Sequence, residues 1–68
     1  MKRARWKDGR AVVNGWRLRV RCAGYAYWRW YAVGLHVVTE PVYGNQSPKS
    51  ARRAAAAWAR VQAFGGER

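Results

Sequence analysis

Arginines that alternate with apolar residues carry the clearest chemistry in this sequence. From Trp16 to Arg21 one parity is apolar and the other is arginine, and from Tyr25 to Val33 small residues and tryptophans alternate with tyrosines and an arginine. A period of two is typical of a strand with one buried face. Guanidinium groups bind phosphate in a bidentate fork, and both arginine and tyrosine stack on bases. The alternation therefore predicts a nucleic-acid-binding or partner-binding face made of Arg17, Arg19, Arg21, Tyr25, Tyr27, Arg29 and Tyr31.

Two other groups of basic residues are candidates for the same chemistry. The first is a basic arm around Trp6, which contains Lys2, Arg3, Arg5 and Lys7. The second is a stripe on a predicted C-terminal helix, which contains Lys49, Arg52, Arg53 and Arg60. A helix packed on the apolar sheet face puts its stripe on the opposite side from the strand arginines. The arm would then contribute to both surfaces.

Each of the three groups also has a purely structural interpretation. The arginine and tyrosine face would be a solvated surface stabilised by cation–π contacts, and the helix stripe would be an ordinary solvated helix face. The arm would be a frayed terminus. Two roles are equally consistent with the position of Trp6 in the sequence. Its indole could stack on a base, or it could cover the open edge of a thin core. The poor compensation of the strand arginines by acidic residues favours the functional interpretation of that face.

The connection between the two alternating strands decides which residues share a face. A three-residue loop, Cys22-Ala23-Gly24, would place Leu18 opposite Trp28 and would keep apolar and polar residues on separate faces. A two-residue turn, Ala23-Gly24, shifts the register by one and mixes them. We favour the three-residue loop because it alone of the two segregates the faces.

Turn and strand signals elsewhere complete an antiparallel sheet. Asn14-Gly15 predicts either a two-residue hairpin turn before the Trp16 strand or a bulge within one long strand, and the sequence leaves both open. The β-branched composition of residues 35–39 predicts another strand, which Pro41 confines to an edge.

Ser47-Pro48 opens the one clear helix, because serine is a good N-cap and proline suits the first helical position. Gly65-Gly66 should end it. Helical periodicity predicts a buried face of Ala51, Ala54, Ala55, Trp58 and Val61, with Ala56 among the exposed residues.

The predicted fold class is α+β, with a three- to four-stranded antiparallel β-sheet and one C-terminal α-helix packed on one face. Residues 1–9 would be the basic arm, residues 10–66 a single domain and residues 67–68 a tail. In element order and length this outline resembles the arm-binding domains of phage and transposon integrases. That resemblance implies a sheet placed in the major groove of DNA. None of the diagnostic motifs of those domains occurs here, so no residue role follows from it.

Composition narrows the class of partner. The 68 residues suffice for one domain, and 14 Lys and Arg against 3 acidic residues leave a formal net charge of +11. Self-repulsion of that size opposes compaction and favours an anionic partner. The first 15 residues are basic, and no apolar run approaches the length of about 18 residues that spans a bilayer. We therefore expect a cytoplasmic protein that does not enter a membrane.

Catalytic and metal-binding chemistry finds little support in the sequence. The acidic residues Asp8, Glu40 and Glu67 lie far apart, so a paired-carboxylate site is not expected. His36 is the single histidine and lacks companion metal ligands, and Cys22 lacks a partner cysteine. We predict no enzyme activity, no cofactor, no metal and no small-molecule substrate.

Two functions from different classes remain as hypotheses. The first is a nucleic-acid binder that uses the arginine and tyrosine face and the basic arm on DNA or RNA. The alternative is a small phage or mobile-element protein that docks the same face on an acidic protein surface and inhibits a host complex, since Arg, Tyr and Trp are enriched at binding hot spots.

Overall fold

The computed structural model describes residues 4–25, 27–34, 38–39 and 44–66 of the chain. Its four strands follow one another in a single antiparallel sheet of order β1-β2-β3-β4, and one helix packs against β2 and β3. The predicted α+β fold class is confirmed. The elements are β1 (Arg10–Val13), β2 (Trp16–Gly24), β3 (Tyr27–Val33), β4 (Val38–Thr39) and α1 (Pro48–Val61).

Two tight turns of the same kind shape the first part of the sheet. Asn14 and Gly15 have φ values of 51° and 77° and join β1 to β2 as a two-residue turn. This geometry settles the alternative in favour of a hairpin turn, because positive φ at both central residues matches the twist of the paired strands. Asp8 and Gly9 repeat it with φ values of 53° and 74°. Lys7 and Arg10 exchange backbone hydrogen bonds of 2.9 and 3.0 Å across that turn, so the arm folds back along β1.

The hairpin between β2 and β3 closes later than predicted. The strand β2 continues through Gly24, with an irregularity in the ladder between Cys22 and Gly24, and the register pairs Leu18 with Ala32. The predicted loop Cys22-Ala23-Gly24 and the pairing of Leu18 with Trp28 are therefore wrong. The partners differ by four positions, an even number, so the shift leaves every residue on its predicted face and hydrophobic parity cannot detect it. The later turn instead lets β2 use more of its length for pairing.

A thin core of small residues and tryptophans lies between the sheet and the helix. Leu18, only 1% exposed, and Trp30, 5% exposed, contribute its largest buried side chains. The indole of Trp58 packs between two others, with ring centroids 4.9 Å from Trp16 and 5.4 Å from Trp30. The rest of the buried cluster is formed by Val20, Ala32, Ala51, Ala55 and Ala59. Alanines let the helix approach the sheet closely, so aromatic rings supply much of the apolar area that this small chain can bury.

The helix begins as predicted, ends earlier than predicted and is rotated relative to the predicted face. It ends at Val61 with Gln62 as its C-cap, and not at Gly65-Gly66, because the Asn14 amide binds the carbonyls of Ala59 and Gln62 there. The Ser47 hydroxyl accepts a hydrogen bond from the Ser50 backbone N–H at 3.1 Å and caps the N-terminus. Ala56 is buried and Val61 is 79% exposed, the reverse of the prediction for both residues. The buried line runs through alanines four residues apart and ends at Ala59. At about 100° per residue, Val61 lies on the opposite side of the helix from Ala59, whereas Ala56 lies beside it.

The segment after the helix docks on the turn between β1 and β2. The Asn14 side-chain amide donates to the carbonyl oxygens of Ala59, at 3.0 Å, and Gln62, at 2.8 Å. The Trp16 indole N–H donates to the Ala63 carbonyl at 2.9 Å, and the Gly65 N–H donates to the Asn14 carbonyl at 3.0 Å. Carbonyls at a helix C-terminus have no partner within the helix. Asn14 therefore both forms the turn and satisfies the end of α1.

We expect Asn14→Gly to lower the free energy of unfolding by about 1–3 kcal/mol. Glycine tolerates the positive φ, so this change isolates the loss of two hydrogen bonds, each with a net contribution of about 0.5–1.5 kcal/mol. Asn14→Ala should lower it by about 1 kcal/mol more, because a Cβ is disfavoured in the left-handed region. Urea denaturation of both variants measures the difference. No loss for glycine would show that the amide does not hold the helix end, whereas equal losses for the two would show that the left-handed backbone at position 14 adds no cost for alanine.

Candidate nucleic-acid interface

The sheet face that points away from α1 carries the strand arginines. Arg17, Arg19 and Arg21 are exposed along β2, while the intervening Leu18 and Val20 are buried. The predicted separation of a polar and an apolar face is confirmed. We call this solvent-facing side the outer face.

A concave surface, the arginine groove, covers part of the outer face and extends around the β1 edge to Arg60 of α1, with a volume of about 1220 Å³. Residues from all four strands and from the arm line it. Its cationic lining consists of Arg5, Lys7, Arg10, Arg17, Arg19, Arg21 and Arg60. Asp8 is its one acidic lining residue. Seven cations against one carboxylate make the groove a site of strongly positive potential, and a concave shape focuses such a field on an anionic ligand.

The strand register places like charges directly opposite each other on the outer face. Arg10 of β1 pairs with Arg19 of β2, and Arg21 of β2 pairs with Arg29 of β3. Directly opposite side chains have Cβ atoms about 4.5–5.5 Å apart, a separation at which like charges repel. An anion bound between two such guanidiniums would relieve the repulsion. The register therefore favours ligands that present several negative charges.

The free protein should become more stable when one of these repulsions is removed. We expect Arg10→Gln to raise the free energy of unfolding by about 0.2–1 kcal/mol at low ionic strength, because it removes the charge opposite Arg19. The gain should vanish near 1 M salt, where the screening length is about 3 Å. Arg10→Lys keeps the charge and should show no such gain. Urea denaturation at both salt concentrations is the measurement, and a salt-independent loss of stability in Arg10→Gln would contradict the expectation.

Apolar residues share the groove with the cations. Arg17 lies between Val12 and Val33 in the register, and Val38 of β4 follows Val33. Val12 is 56% exposed and Val38 is 71% exposed. Solvent-facing valines across three strands provide an apolar surface next to the charged groups.

The predicted aromatic residues take three different positions. Tyr31, directly opposite Arg19, lines the groove. The Tyr27 hydroxyl accepts a hydrogen bond from the Gly44 N–H at 3.1 Å, and its ring lies so close to Gly44 that a Cβ there would clash. Tyr25 follows the last residue of β2 and is fully exposed at the end of the β2–β3 hairpin. Neither Tyr27 nor Tyr25 lines the groove. Tyr27 thus positions the segment before α1, while Tyr25 is free to contact a ligand only beyond the end of the groove.

Arg29 belongs to the outer face by register but does not line the groove. Its side chain is half-buried, unlike the exposed arginines of β2. Two residues of the predicted arm, Lys2 and Arg3, lie outside the described residues. Arg5 and Lys7 are exposed and line the groove.

The helix stripe forms a second concave region, which we call the helix-side basic surface, with a volume of about 520 Å³. Trp6 lines this region and also packs against the hydrophobic core, which gives its indole a structural role. Trp6 and Ala56 share the region, so the arm covers the flank of the helix where Ala56 is buried. The complete lining is Ala4, Trp6, Lys49, Arg52, Arg53, Ala56 and Arg60.

Two features of the groove were absent from the sequence prediction. Arg10 was not among the site residues, although a two-residue turn at Asn14-Gly15 places it opposite Arg19. If Asn14-Gly15 is taken as a turn and not as a bulge, the sequence alone places Arg10 opposite Arg19. Arg60 was assigned to the helix stripe alone, and its position in both concave regions depends on how α1 sits against the sheet.

The described residues offer little for other chemistry. Asp8 is the only acidic residue among them, and they contain no group of three side chains that could hold a metal ion. The exposed Cys22 thiol donates to the Gly24 carbonyl at 3.2 Å. His36, Glu40 and Glu67 lie outside the described residues. The helix that the structure describes lacks the length and apolar character needed to cross a bilayer.

Comparison with protein-family models, with curated proteins and with solved structures found no match for this chain. What the arginine groove does must therefore be inferred from its own residues.

Proposed function

We propose that this protein binds nucleic acid in the arginine groove and performs no catalytic step. The observation that carries the proposal is the lining of the groove, in which seven cations face one carboxylate and Arg10 lies directly opposite Arg19. A solvated surface has no need of such an arrangement, because like charges opposite each other destabilise the sheet. A polyanion converts the same arrangement into a series of favourable contacts.

The geometry of β2 suits a linear array of phosphates. Arg17, Arg19 and Arg21 point to the same side at intervals of two residues, which is roughly 6.6 Å between neighbours. A guanidinium group can bind two phosphate oxygens with its planar fork. Tyr31 and the exposed valines provide contacts for bases and sugars between the charged groups. Contacts of this kind position the ligand and read little of its sequence.

Binding should depend steeply on salt. If five to seven cations contact phosphates, the affinity should fall by about 100-fold to several thousand-fold between 50 and 200 mM salt, because each contact releases a counterion. Fluorescence anisotropy with labelled 24-nucleotide DNA, 24-nucleotide RNA and a 24-base-pair duplex tests this directly. Saturable binding at 50 mM salt with that dependence supports the proposal. Failure to bind any of the three at 50 mM salt would overturn it.

A polyglutamate chain of matched charge distinguishes nucleic acid from an acidic protein surface. Carboxylates offer the guanidinium fork a partner, but a polyglutamate chain has no bases for Tyr31 to stack on. We therefore expect at least tenfold weaker binding to polyglutamate than to the nucleic acids at equal ionic strength. Equal or tighter binding to polyglutamate would favour the alternative, in which the protein docks on an acidic groove of a host protein complex and inhibits it.

A further inference from the structure

We propose that the ligand is a single-stranded nucleic acid that runs along the arginine groove, crosses the β1 edge and continues onto the helix-side basic surface. This inference rests on the proposed function and adds the class and the path of the ligand. Its basis is the continuity between two basic surfaces that lie on opposite sides of the sheet.

The arm joins the two surfaces residue by residue. It lies at the β1 edge, where Lys7 pairs with Arg10. Along the arm, Arg5 and Lys7 line the arginine groove, whereas Trp6 between them lines the helix-side basic surface. The alternation of side chains along the arm therefore places its cations beside the arginine groove and its indole beside the helix-side basic surface. The β1 edge is therefore covered by residues that serve both surfaces.

Two residues belong to both surfaces and show that they meet. Ala4 and Arg60 line the arginine groove and also line the helix-side basic surface. Arg60 is exposed in the last turn of α1 and brings a charge to the junction. Ala4 is a small residue that leaves room for a ligand to pass. A ligand leaving the groove at this edge thus meets positive charge without a break.

The helix-side basic surface has the composition of a single-strand contact. Lys49, Arg52 and Arg53 carry its charge together with Arg60. Trp6 is only partly buried, so part of its indole remains available between these cations. Aromatic rings within a positively charged surface bind unpaired bases by stacking, largely regardless of sequence.

The dimensions of the molecule favour a single strand over a duplex. The protein measures only 33 × 24 × 20 Å, and the two surfaces extend in opposite directions from the residues that they share at the β1 edge. Reaching both requires the ligand to reverse direction over roughly the 20 Å thickness of the molecule. Duplex DNA has a persistence length of about 150 base pairs and resists such a bend, whereas an unpaired strand follows it freely. A straight duplex would occupy one surface and leave the other empty.

The path length predicts the size of the binding site. The outer face and the thickness of the molecule together span on the order of 40 Å. A strand advances about 3.4 Å per nucleotide when stacked and roughly twice that when extended, so the path holds about 6 to 12 nucleotides. This lies within the range of about 4–16 nucleotides seen for single-strand-binding domains.

The test is a length series on the intact protein. Labelled oligothymidylates and oligouridylates of 5, 10, 15 and 20 nucleotides are titrated at fixed salt beside a 15-base-pair duplex, and affinities are corrected for the number of binding positions. We expect affinity to rise at least tenfold from 5 to 15 nucleotides and then to level off. The 15-nucleotide strand should bind more tightly than the duplex. The two series report whether the sugar and the thymine methyl group together matter, since DNA and RNA strands both fit the same path.

The double variant Lys49→Gln/Arg53→Gln isolates the second surface. Both residues are exposed on α1, so the fold should persist, and far-UV circular dichroism checks it. We expect unchanged affinity for the 5-nucleotide strand and for the duplex, and at least fivefold weaker binding of the 15-nucleotide strand. The matched control Lys49→Arg/Arg53→Lys keeps both charges and should bind like the parent protein.

The possible failures can be told apart. If no oligonucleotide binds the parent protein at all, the proposed function itself fails. If the strands bind with affinities independent of length, or the duplex binds more tightly than the 15-nucleotide strand, only the inference about the path and class is overturned. The inference about the path is also overturned if the glutamine variant binds the 5-nucleotide and 15-nucleotide strands with equally reduced affinity.

Discussion

Replacing Arg19 and Arg21 together by glutamine should weaken nucleic-acid binding by about 2–4 kcal/mol, which is roughly a 30-fold to 1000-fold loss of affinity. A hydrogen bond to a charged group contributes about 1.5–3 kcal/mol, and exposed groups such as these lie at the lower end. Both residues line the arginine groove, and both lie opposite another arginine. Fluorescence anisotropy with the 24-nucleotide strand at 50 mM salt gives the loss.

The salt dependence of this variant should change in step with its charge. Removing two phosphate contacts lowers the slope of log K against log salt by about 1.4 for a single strand and about 1.8 for a duplex. The control Arg19→Lys/Arg21→Lys retains both charges but not the bidentate fork, so its slope should match the parent protein while its affinity falls by a smaller factor. An unchanged affinity in the glutamine variant would place the ligand away from the arginine groove.

Trp30→Ala should remove most of the stability of the fold. The indole is 5% exposed and packs against Trp58, and truncating such a side chain lowers the free energy of unfolding by about 3–5 kcal/mol. At about 0.05–0.15 kcal/mol per residue, a chain of 68 residues has a total of roughly 3–10 kcal/mol. We therefore expect the variant to be largely unfolded, or to unfold at very low urea concentration, in far-UV circular dichroism.

A control in the same molecule separates burial from hydrophobicity. Val61→Ala truncates an apolar residue of α1 that is 79% exposed, and we expect a change within about 0.5 kcal/mol. Trp30→Phe keeps an aromatic ring and should be less harmful than alanine. If Val61→Ala destabilised the protein more than Trp30→Ala, the orientation of α1 on the sheet would be wrong.

Much of the fold could be predicted because local signals agree with one another. Positive-φ turn residues, strand alternation and the Ser47 cap each act over a few residues, and the structure contains the turn, the strands and the helix start that they predict. The predicted helix end at Gly65-Gly66 is too late, and two further errors concern non-local choices. The β2–β3 register was missed because an even shift preserves the faces, and the helix rotation was missed because alanines lie all around α1 and only packing against the sheet and Trp6 distinguishes them.

The candidate site, like the fold, was predictable where local spacing decides and not where tertiary contacts decide. The arginines of β2 were found on the exposed face because their spacing determines it. The roles of the tyrosines were not predictable, because Tyr27 contacts Gly44 through a tertiary hydrogen bond and Tyr25 lies at a hairpin end whose position follows from the register. Arg10 could be placed only after the β1–β2 turn was known.

By itself the sequence determined which side chains of one strand share a face, since strand parity is a property of the backbone geometry of each strand. It also determined the excess of positive charge that any ligand must neutralise. Only the tertiary structure decided which arginines lie opposite each other, and that the arm joins the groove to the helix at the β1 edge. Those arrangements depend on contacts between residues far apart in the chain, and no local periodicity encodes them.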